Sequence, residues 1–309
     1  MRPTLRQLEY FTTVAELGAF GPAAARLHVT QPSLSKQIAK LEEELGFAVF
    51  ERTTRAVHLT QAGDALLQQA QTVLSEAQGF RDLARSLAEK ADATLIAGVL
   101  PSIGAYFMPR FMERLRRDMP GLRLSLVEGS SSDLLQKLES GELDFVVASK
   151  GPYERLEAHP LFEETLWISA TPGDALLEDE APLSSKALRG KTLLTLGPEF
   201  HLTSIVEALA KRVGATLSSA YRGASLDAIR QMAASGAGIA VLPSLYALGE
   251  AIRDPAFRVR RLEDADATHP VLLYWRRSAS NPGLYEQLAS TMIAEKLQIR
   301  SERAEKFQV

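Results

Sequence analysis

Residues 30–46 read TQPSLSKQIAKLEEELG, and the spacing of the apolar residues in this stretch decides the fold of the amino-terminal part. Leu34, Ile38, Leu41 and Leu45 recur at intervals of four, three and four, which places them on one stripe of an α-helix. The stripe demands a covering layer. The opposite face carries Pro32, Ser33, Lys36 and Lys40, with Gln31 leading and Ser35 alongside. These groups are polar or small, so the face can approach base edges and phosphates. Thr30 is placed to cap the helix, Pro32 is tolerated in a first turn whose N–H groups have no intrahelical partner, and Gly46 is a natural stop.

Upstream, Thr4-Leu5-Arg6-Gln7 fits a capping box, and Leu8, Phe11, Val14 and Ala15 follow on one side, so a first helix is expected over residues 5–17 with Gly18 ending it. Pro22 opens a second short helix through Ala23, Ala24, Ala25, Arg26 and Leu27. Two short helices, a tight turn and a third helix with a polar outer face make a helix-turn-helix whose last helix enters the major groove. A three-helix core with a merely solvated face would show the same periodicity. Downstream, FAVFERTTRAVHL (residues 47–59) changes period: Phe47, Val49 and Phe50, then a polar turn, then Val57 and Leu59 alternating with His58. This predicts a two-stranded wing whose tip, Arg52, Thr53, Thr54 and Arg55, meets phosphate or the minor groove. Over residues 1–60 seven Lys/Arg face six Asp/Glu, but Glu42, Glu43 and Glu44 lie at the far end of the third helix from its cations.

From residue 60 the period becomes that of a long helix. Leu66, Ala70, Val73, Ala77, Phe80, Ala84 and Leu87 step by four and three as far as Lys90, a heptad seam roughly 45 Å long at 1.5 Å per residue. Alanine alternates with larger residues, so a partner helix can approach closely, and pairing with a second copy of the chain is expected. Left single, the helix would hold an apolar stripe in water.

After Ala91-Asp92-Ala93, strand and helix patterns alternate. TLIAGV, LRLSLVE and LDFVVAS are strands with helices over 106–117 and 131–140 between them, a βαβαβ unit. Residues 163–170 are extended. A second set follows: TLLTL, helices over 202–212 and 225–234, GIAVLP, a strand near 257–262, then VLLYW and a last helix over 283–299. The expected architecture is α/β with an N-terminal all-α winged helix-turn-helix (1–59), a long linker helix for dimerisation (60–90), and a two-lobed regulatory domain (91–309). Lobe I takes about 91–163 and 267–309, and lobe II about 164–266. Small ligands are usually held in the cleft of such a pair, at the strand ends.

Composition bounds the function. The chain has 309 residues, 46% of them apolar, a formal net charge of −3 and no cysteine. At roughly 150 residues per domain two or three domains are expected, and DNA contact must come from a local arrangement of charge. Disulfides, thiolate nucleophiles and cysteine-ligated zinc are excluded. No apolar run reaches the roughly 20 residues that span a bilayer, and MRPTLRQLEYF lacks a signal-peptide core, so a cytoplasmic protein without a membrane partner is expected. There is no phosphate-binding loop with its lysine, no nucleophile elbow, and no metal spacing among His28, His58, His159, His201 and His269. Gly236-Ala237-Gly238 precedes a strand, whereas a dinucleotide loop follows one. Neither catalytic residues nor a cofactor or metal are therefore expected.

The helix-turn-helix with TQPSLSKQIAKLEEELG, the wing ERTTRAVHLTQAG and the start of the long helix resemble the LysR-type transcriptional regulators. VLPSIGAYFMPRFM, LLQKLESGELDFVVAS, SLDAIRQMAASGAGIAVLPSL and YEQLA resemble its peroxide-sensing, OxyR-like members, so the likeness covers almost the whole chain. It implies sequence-specific binding to double-stranded promoter DNA, a periplasmic-binding-protein-like regulatory domain, assembly to a homotetramer, and RNA polymerase as a further candidate partner. The departure is chemical. Where the resemblance would place the two redox cysteines, this chain has His201 and Ala210, and an imidazole cannot form the sulfenic acid and disulfide of a thiol switch. The expected input is instead a small organic anion in the interlobe cleft. Pro101 and Ser102 lie at one strand-to-helix junction, Ser130 and Ser131 at another, and His201 and Thr203 open a helix of the second lobe, all bringing hydroxyls and free N–H groups to helix starts. Helix capping calls for the same residue types. By resemblance Arg276 also falls near this cleft.

Overall fold

A computed structural model describes residues 3–52, 57–88, 93–149, 151, 156–264 and 266–307. Residues 1–88 form one compact unit and most of 89–309 a second.

In the first unit α1 (Leu5–Leu17) carries the expected capping box. Gln7 N donates to Thr4 Oγ1 at 3.2 Å and Thr4 N to Gln7 Oε1 at 2.9 Å, and Gly18 closes the helix at φ 61°. α2 (Phe20–Arg26) starts two residues before Pro22, because Ala19 is extended and a proline in the first turn removes an N–H that has no intrahelical acceptor. His28 forms the turn in the left-handed region at φ 53°, a conformation that costs a non-glycine residue about 1 kcal/mol or more. α3 (Gln31–Leu45) runs from Thr30, whose hydroxyl accepts from Ser33 N at 3.4 Å, to Gly46 at φ 81°. Leu34, Ile38 and Leu41 are buried against Phe11, Phe20 and Phe50, with the Phe50 ring 5.5 Å from Phe11 and 6.0 Å from Phe20.

β1 (Phe50–Arg52) and β2 (Val57–Leu59) pair antiparallel as the wing. α4 (Gln61–Ala88) follows, with Thr60 Oγ1 accepting from Gly63 N at 2.9 Å. Gly63 is required here: a Cβ on it would lie 2.1 Å from the Val49 carbonyl oxygen.

The second unit begins with β3 (Ala93–Val99), α5 (Pro101–Tyr106), α6 (Met108–Asp118), β4 (Leu122–Glu128), α7 (Ser131–Ser140) and β5 (Phe145–Ser149). β3 lies between β4 and β5, all parallel. The helix start at Pro101 is as expected, but the chain breaks at Phe107 into α5 and α6 where a helix over 106–117 was expected. β6 (Leu156–Ser169) is longer than the extended stretch expected and serves both lobes. Its first part pairs antiparallel with β12 (Thr268–Arg276) and its last part with β10 (Ile239–Pro243). Between them come β7 (Leu183–Ser184), β8 (Thr192–Leu194), α8 (His201–Val213), β9 (Thr216–Leu217), α9 (Leu226–Ala234), α10 (Ser244–Arg253) and β11 (Arg260–Glu263); α11 (Pro282–Phe307) follows β12. β10 and β9 flank β8 in parallel, and β12 pairs antiparallel with β5.

The chain thus passes between lobes twice, within β6 and between β11 and β12. Each lobe has its own core, one around Phe107, Phe111, Phe145 and Tyr274, the other around Ile168, Val206, Ile229 and Val241.

Candidate nucleic-acid interface and interlobe site

The outer face of α3 is as the spacing predicts. Gln31, Pro32, Ser33, Lys36 and Lys40 are exposed, Ser35 is half-buried, and Thr30 is spent on the cap. A helix with two cations and small hydroxyls outward, fixed from behind by fully buried Leu34 and Ile38, presents its donors on a backbone that is already ordered. Glu42 has a role the sequence did not signal: its Oε1 accepts from Val49 N at 2.9 Å and Phe50 N at 3.2 Å, tying the base of the wing to α3. Of the expected wing contacts, Arg52 ends β1, but its side chain and all of Thr53, Thr54 and Arg55 lie outside the described residues.

The seven-residue seam of α4 divides in two. Ala70 is buried and Leu66 half-buried against the core of their own unit, so the first turns of α4 cover the helix-turn-helix core. Val73 and Phe80, one heptad apart, are 38% and 75% exposed, with Ala77 half-buried between them. The side chains of Ala84 and Leu87 lie outside the described residues.

In the regulatory unit the starts of α5 and α8 meet at a small cavity of about 20 Å³, lined by Pro101, Ser102, Ser149, His201, Phe200 and His269 among others. The His201 and His269 rings are 6.3 Å apart. Burial, with His269 alongside, holds His201 below the usual imidazole value, so at neutral pH it presents an uncharged ring that can both donate and accept.

Ser130 and Ser131 are engaged nearby rather than free. Ser130 Oγ caps α7 through Asp133 N at 3.3 Å, and Ser131 Oγ accepts from Ser149 N at 3.4 Å. Thr203 Oγ1 donates to the carbonyls of Leu196 and Gly197 at 3.0 and 2.8 Å, a purely structural pairing. Arg276 is a correction. It sits at the opposite end of β12 from His269, 2% exposed, and its Nη1 donates to the carbonyls of Leu138 (2.9 Å) and Leu143. A guanidinium buried inside lobe I, with Nη1 on two backbone carbonyls there, points away from the cleft.

Three groups that sequence reasoning missed organise this region. His269 Nε2 meets Ser149 Oγ at 2.7 Å, and its Nδ1 meets Glu164 Oε2 at 3.1 Å. Glu164 is fully buried; its Oε1 accepts from Leu245 N at 2.8 Å and Ser244 Oγ at 3.3 Å, at the start of α10. Burial pushes this carboxyl up, but the His269 hydrogen bond and charge, Lys296 and the Leu245 amide together hold it below the ordinary value. An ionised Glu164 can only accept, so His269 Nδ1 donates to it, and His269 Nε2 shares a hydrogen bond with the Ser149 hydroxyl. The chain Ser131–Ser149–His269–Glu164–α10 therefore runs from lobe I through the crossing strands into lobe II. The only sequence sign was an imidazole in an otherwise apolar strand.

Among the described residues no group of His, Asp and Glu side chains could hold a metal ion, and no helix is long and apolar enough to cross a membrane.

Residues 5–64 match the bacterial regulatory helix-turn-helix protein, lysR family, and residues 88–295 match the LysR substrate binding domain. The chain is similar to the hydrogen peroxide-inducible genes activator of Dickeya chrysanthemi, 34% identical over 305 residues, 97% of each chain. It is equally similar to the DNA-binding transcriptional dual regulator OxyR of Escherichia coli strain K12, 34% identical over 94% of this chain and 95% of that one. Among solved structures, a full-length OxyR from Pseudomonas aeruginosa with a Cys-to-Asp change superposes with a TM-score of 0.65 at 34% identity, covering 94% and 95% of the two chains. Both halves match, in order, families of transcription regulators rather than enzymes: the chain belongs to the LysR family of DNA-binding transcriptional regulators.

Proposed function

We propose that this regulator is switched by a small organic anion held between the lobes of its regulatory unit, without thiol oxidation. The observation that carries the proposal is the cluster of Ser102, Ser149, His201 and His269 around the interlobe cavity of a chain that has no cysteine. Ser102 and His201 are neutral donors at two helix starts, suited to a carboxylate, with Ser149 and His269 beside them on β5 and β12. At about 20 Å³ the cavity takes one water-sized molecule, so an effector of several heavy atoms binds only when the lobes part about their two crossings. An effector that fits one lobe arrangement better biases the chain toward it by the ratio of its affinities for the two.

Exposed Val73 and Phe80 on α4 support pairing of two chains along that helix, and a dimer, assembled further to a tetramer, links lobe movement to the spacing of its helix-turn-helix units. On the DNA, Gln31, Pro32, Ser33 and Ser35 lie toward bases, Lys36 and Lys40 toward bases or phosphates, and Arg52, Thr53, Thr54 and Arg55 along the flanking backbone.

Lys36→Ala is expected to weaken operator binding about 5- to 100-fold, and to lower the salt slope by about one, with the thermal unfolding of the protein unchanged. Fluorescence anisotropy on a labelled promoter fragment measures both; unchanged affinity would move the DNA contact elsewhere. For the effector, calorimetric titration with a panel of short carboxylates should give saturable binding that Ser102→Ala and His201→Ala weaken together. Binding indifferent to both substitutions contradicts the cleft assignment.

A further inference from the structure

A second cavity, larger than the one around His201, lies elsewhere in the regulatory unit. It measures about 280 Å³ and opens between β6, β11, the start of α10 and the later turns of α11. Its charge is lopsided. Arg261, Lys296, Arg300 and Arg303 supply four cations, against Glu163 and Glu164, and Glu164 is already engaged by His269, Ser244 and Leu245. None of the four cations is ion-paired with a described carboxylate. The contacts they do make are weaker ones: the Lys296 ammonium lies 4.6 Å from the centre of the Phe162 ring, and Arg303 Nη1 donates to the Ser244 carbonyl at 3.3 Å. Trp167, Leu248 and Ile299 form the apolar part of the wall.

Four cations facing two carboxylates, one of them already engaged, are costly to hold together in a partly desolvated space, and the cost falls when an anion enters. The strain is visible at Lys296, which burial, with Arg300 and Arg303 adding to it against the pull of Glu164, brings down to about 8. We propose that this cavity is a second ligand site, separate from the interlobe cleft, that takes a small organic anion with an apolar body, a carboxylate or a phosphate monoester. Arg300 and Lys296 meet the charged end, and Trp167, Leu248 and Ile299 the apolar end. Because Glu164 lines the cavity and holds His269, an anion bound there acts on the imidazole that lines the cleft.

The test uses phenylacetate and phenyl phosphate as probes and 2-phenylethanol as the neutral control, on the full chain. The protein has two tryptophans, and Trp275→Phe leaves Trp167 as the reporter in the cavity wall; calorimetry on the chain with both tryptophans gives the same constants should that variant misfold. Saturable binding of the anions is expected, with the alcohol at least about tenfold weaker, as suits a charge-assisted contact. Lys296→Met combined with Arg300→Gln should weaken the anions by at least about tenfold, and Ser102→Ala should leave them unchanged. Since a bound anion favours charged Lys296, affinity should fall as pH rises through about 8 in the wild type, and Lys296→Met should flatten that dependence. The other charged groups facing this ammonium are Glu163 and Glu164 on β6, Arg261 on β11, and Arg300 and Arg303 on α11. The imidazole nitrogen resonances of His269 should shift on titration. Equal binding of the neutral alcohol, or anion affinity that survives the double substitution and is lost in Ser102→Ala, overturns the proposal; the latter result would assign the anion to the cleft. A carboxylate confined to the cleft would leave Trp167 silent.

Discussion

Leu34→Ala should destabilise the DNA-binding unit by about 2–5 kcal/mol and abolish operator binding at temperatures where the regulatory unit stays folded. Leu34 is completely buried between α1, α2 and the wing, in the cluster of Phe11, Phe20, Ile38, Leu41 and Phe50. Truncation removes the transfer energy of the lost methyls and adds the cost of the cavity, and a unit this small has little else to repack with. Total stabilities of such units are about 5–10 kcal/mol, so one substitution spends a large part of the margin. Calorimetry resolves it: the transition of residues 1–88 should move down by about 4–8 °C for each kcal/mol lost. A loss below about 1 kcal/mol would mean that α3 is held by something other than this stripe.

Glu164→Leu should cost the regulatory unit about 3–5 kcal/mol, the loss typical of removing one partner from a buried ionic network. The substitution leaves the Leu245 amide and His269 Nδ1 without an acceptor and removes the buried charge that offsets Lys296. Glu164→Gln should fall between, since an amide oxygen still serves Leu245 while its NH2 group confronts His269. The pH dependence separates charge from shape. Glu164 is held below the ordinary carboxyl value in the fold, so its contribution is complete above the unfolded value of about 4.5, and is lost as pH falls through the lower folded value. The gap between wild type and Glu164→Leu should therefore be widest near neutrality and shrink below about pH 4.5. A gap constant with pH would make the effect one of packing.

The DNA-binding unit was legible because its determinants are local. The capping box at Thr4, the Thr30 cap, the stripe of Leu34, Ile38 and Leu41, and Gly46 are all set by residues within one or two turns of each other. The misses arise where local pattern and tertiary burial disagree. α10 begins with Ser244 to Leu248 all buried, so it shows no amphipathic period. In β6, Pro160 breaks the alternation, and the structure accommodates it beside a shift of register between Val271 and Leu272 on β12. Leu66 and Ala70 fit a heptad as well as Val73 and Phe80 do; only the fold reveals which pair its own core covers.

The candidate site was legible in part for the same reason. Pro101, Ser102 and His201 sit at helix starts and were found by that rule, and the structure brings them together. The same rule picked out Ser130, Ser131 and Thr203, whose hydroxyls the structure spends on α7, Ser149 and the Leu196–Gly197 turn. Ser149, Glu164 and His269 meet across 105 to 120 residues of chain, and nothing in their local sequence announces it. Lys296, Arg300 and Arg303 are spaced to share one face of α11, a spacing that an ordinary solvated face shows just as well.

The central claim is that a fixed polar face on α3 reads duplex DNA while a cysteine-free regulatory unit, blind to peroxide at sulfur of cysteine, controls it. A footprint of the purified protein on its own promoter, with and without hydrogen peroxide at physiological ionic strength, measures this directly. The account predicts a protected palindromic site whose extent and affinity are the same in both lanes; no protection, or a footprint that changes with peroxide, would contradict it.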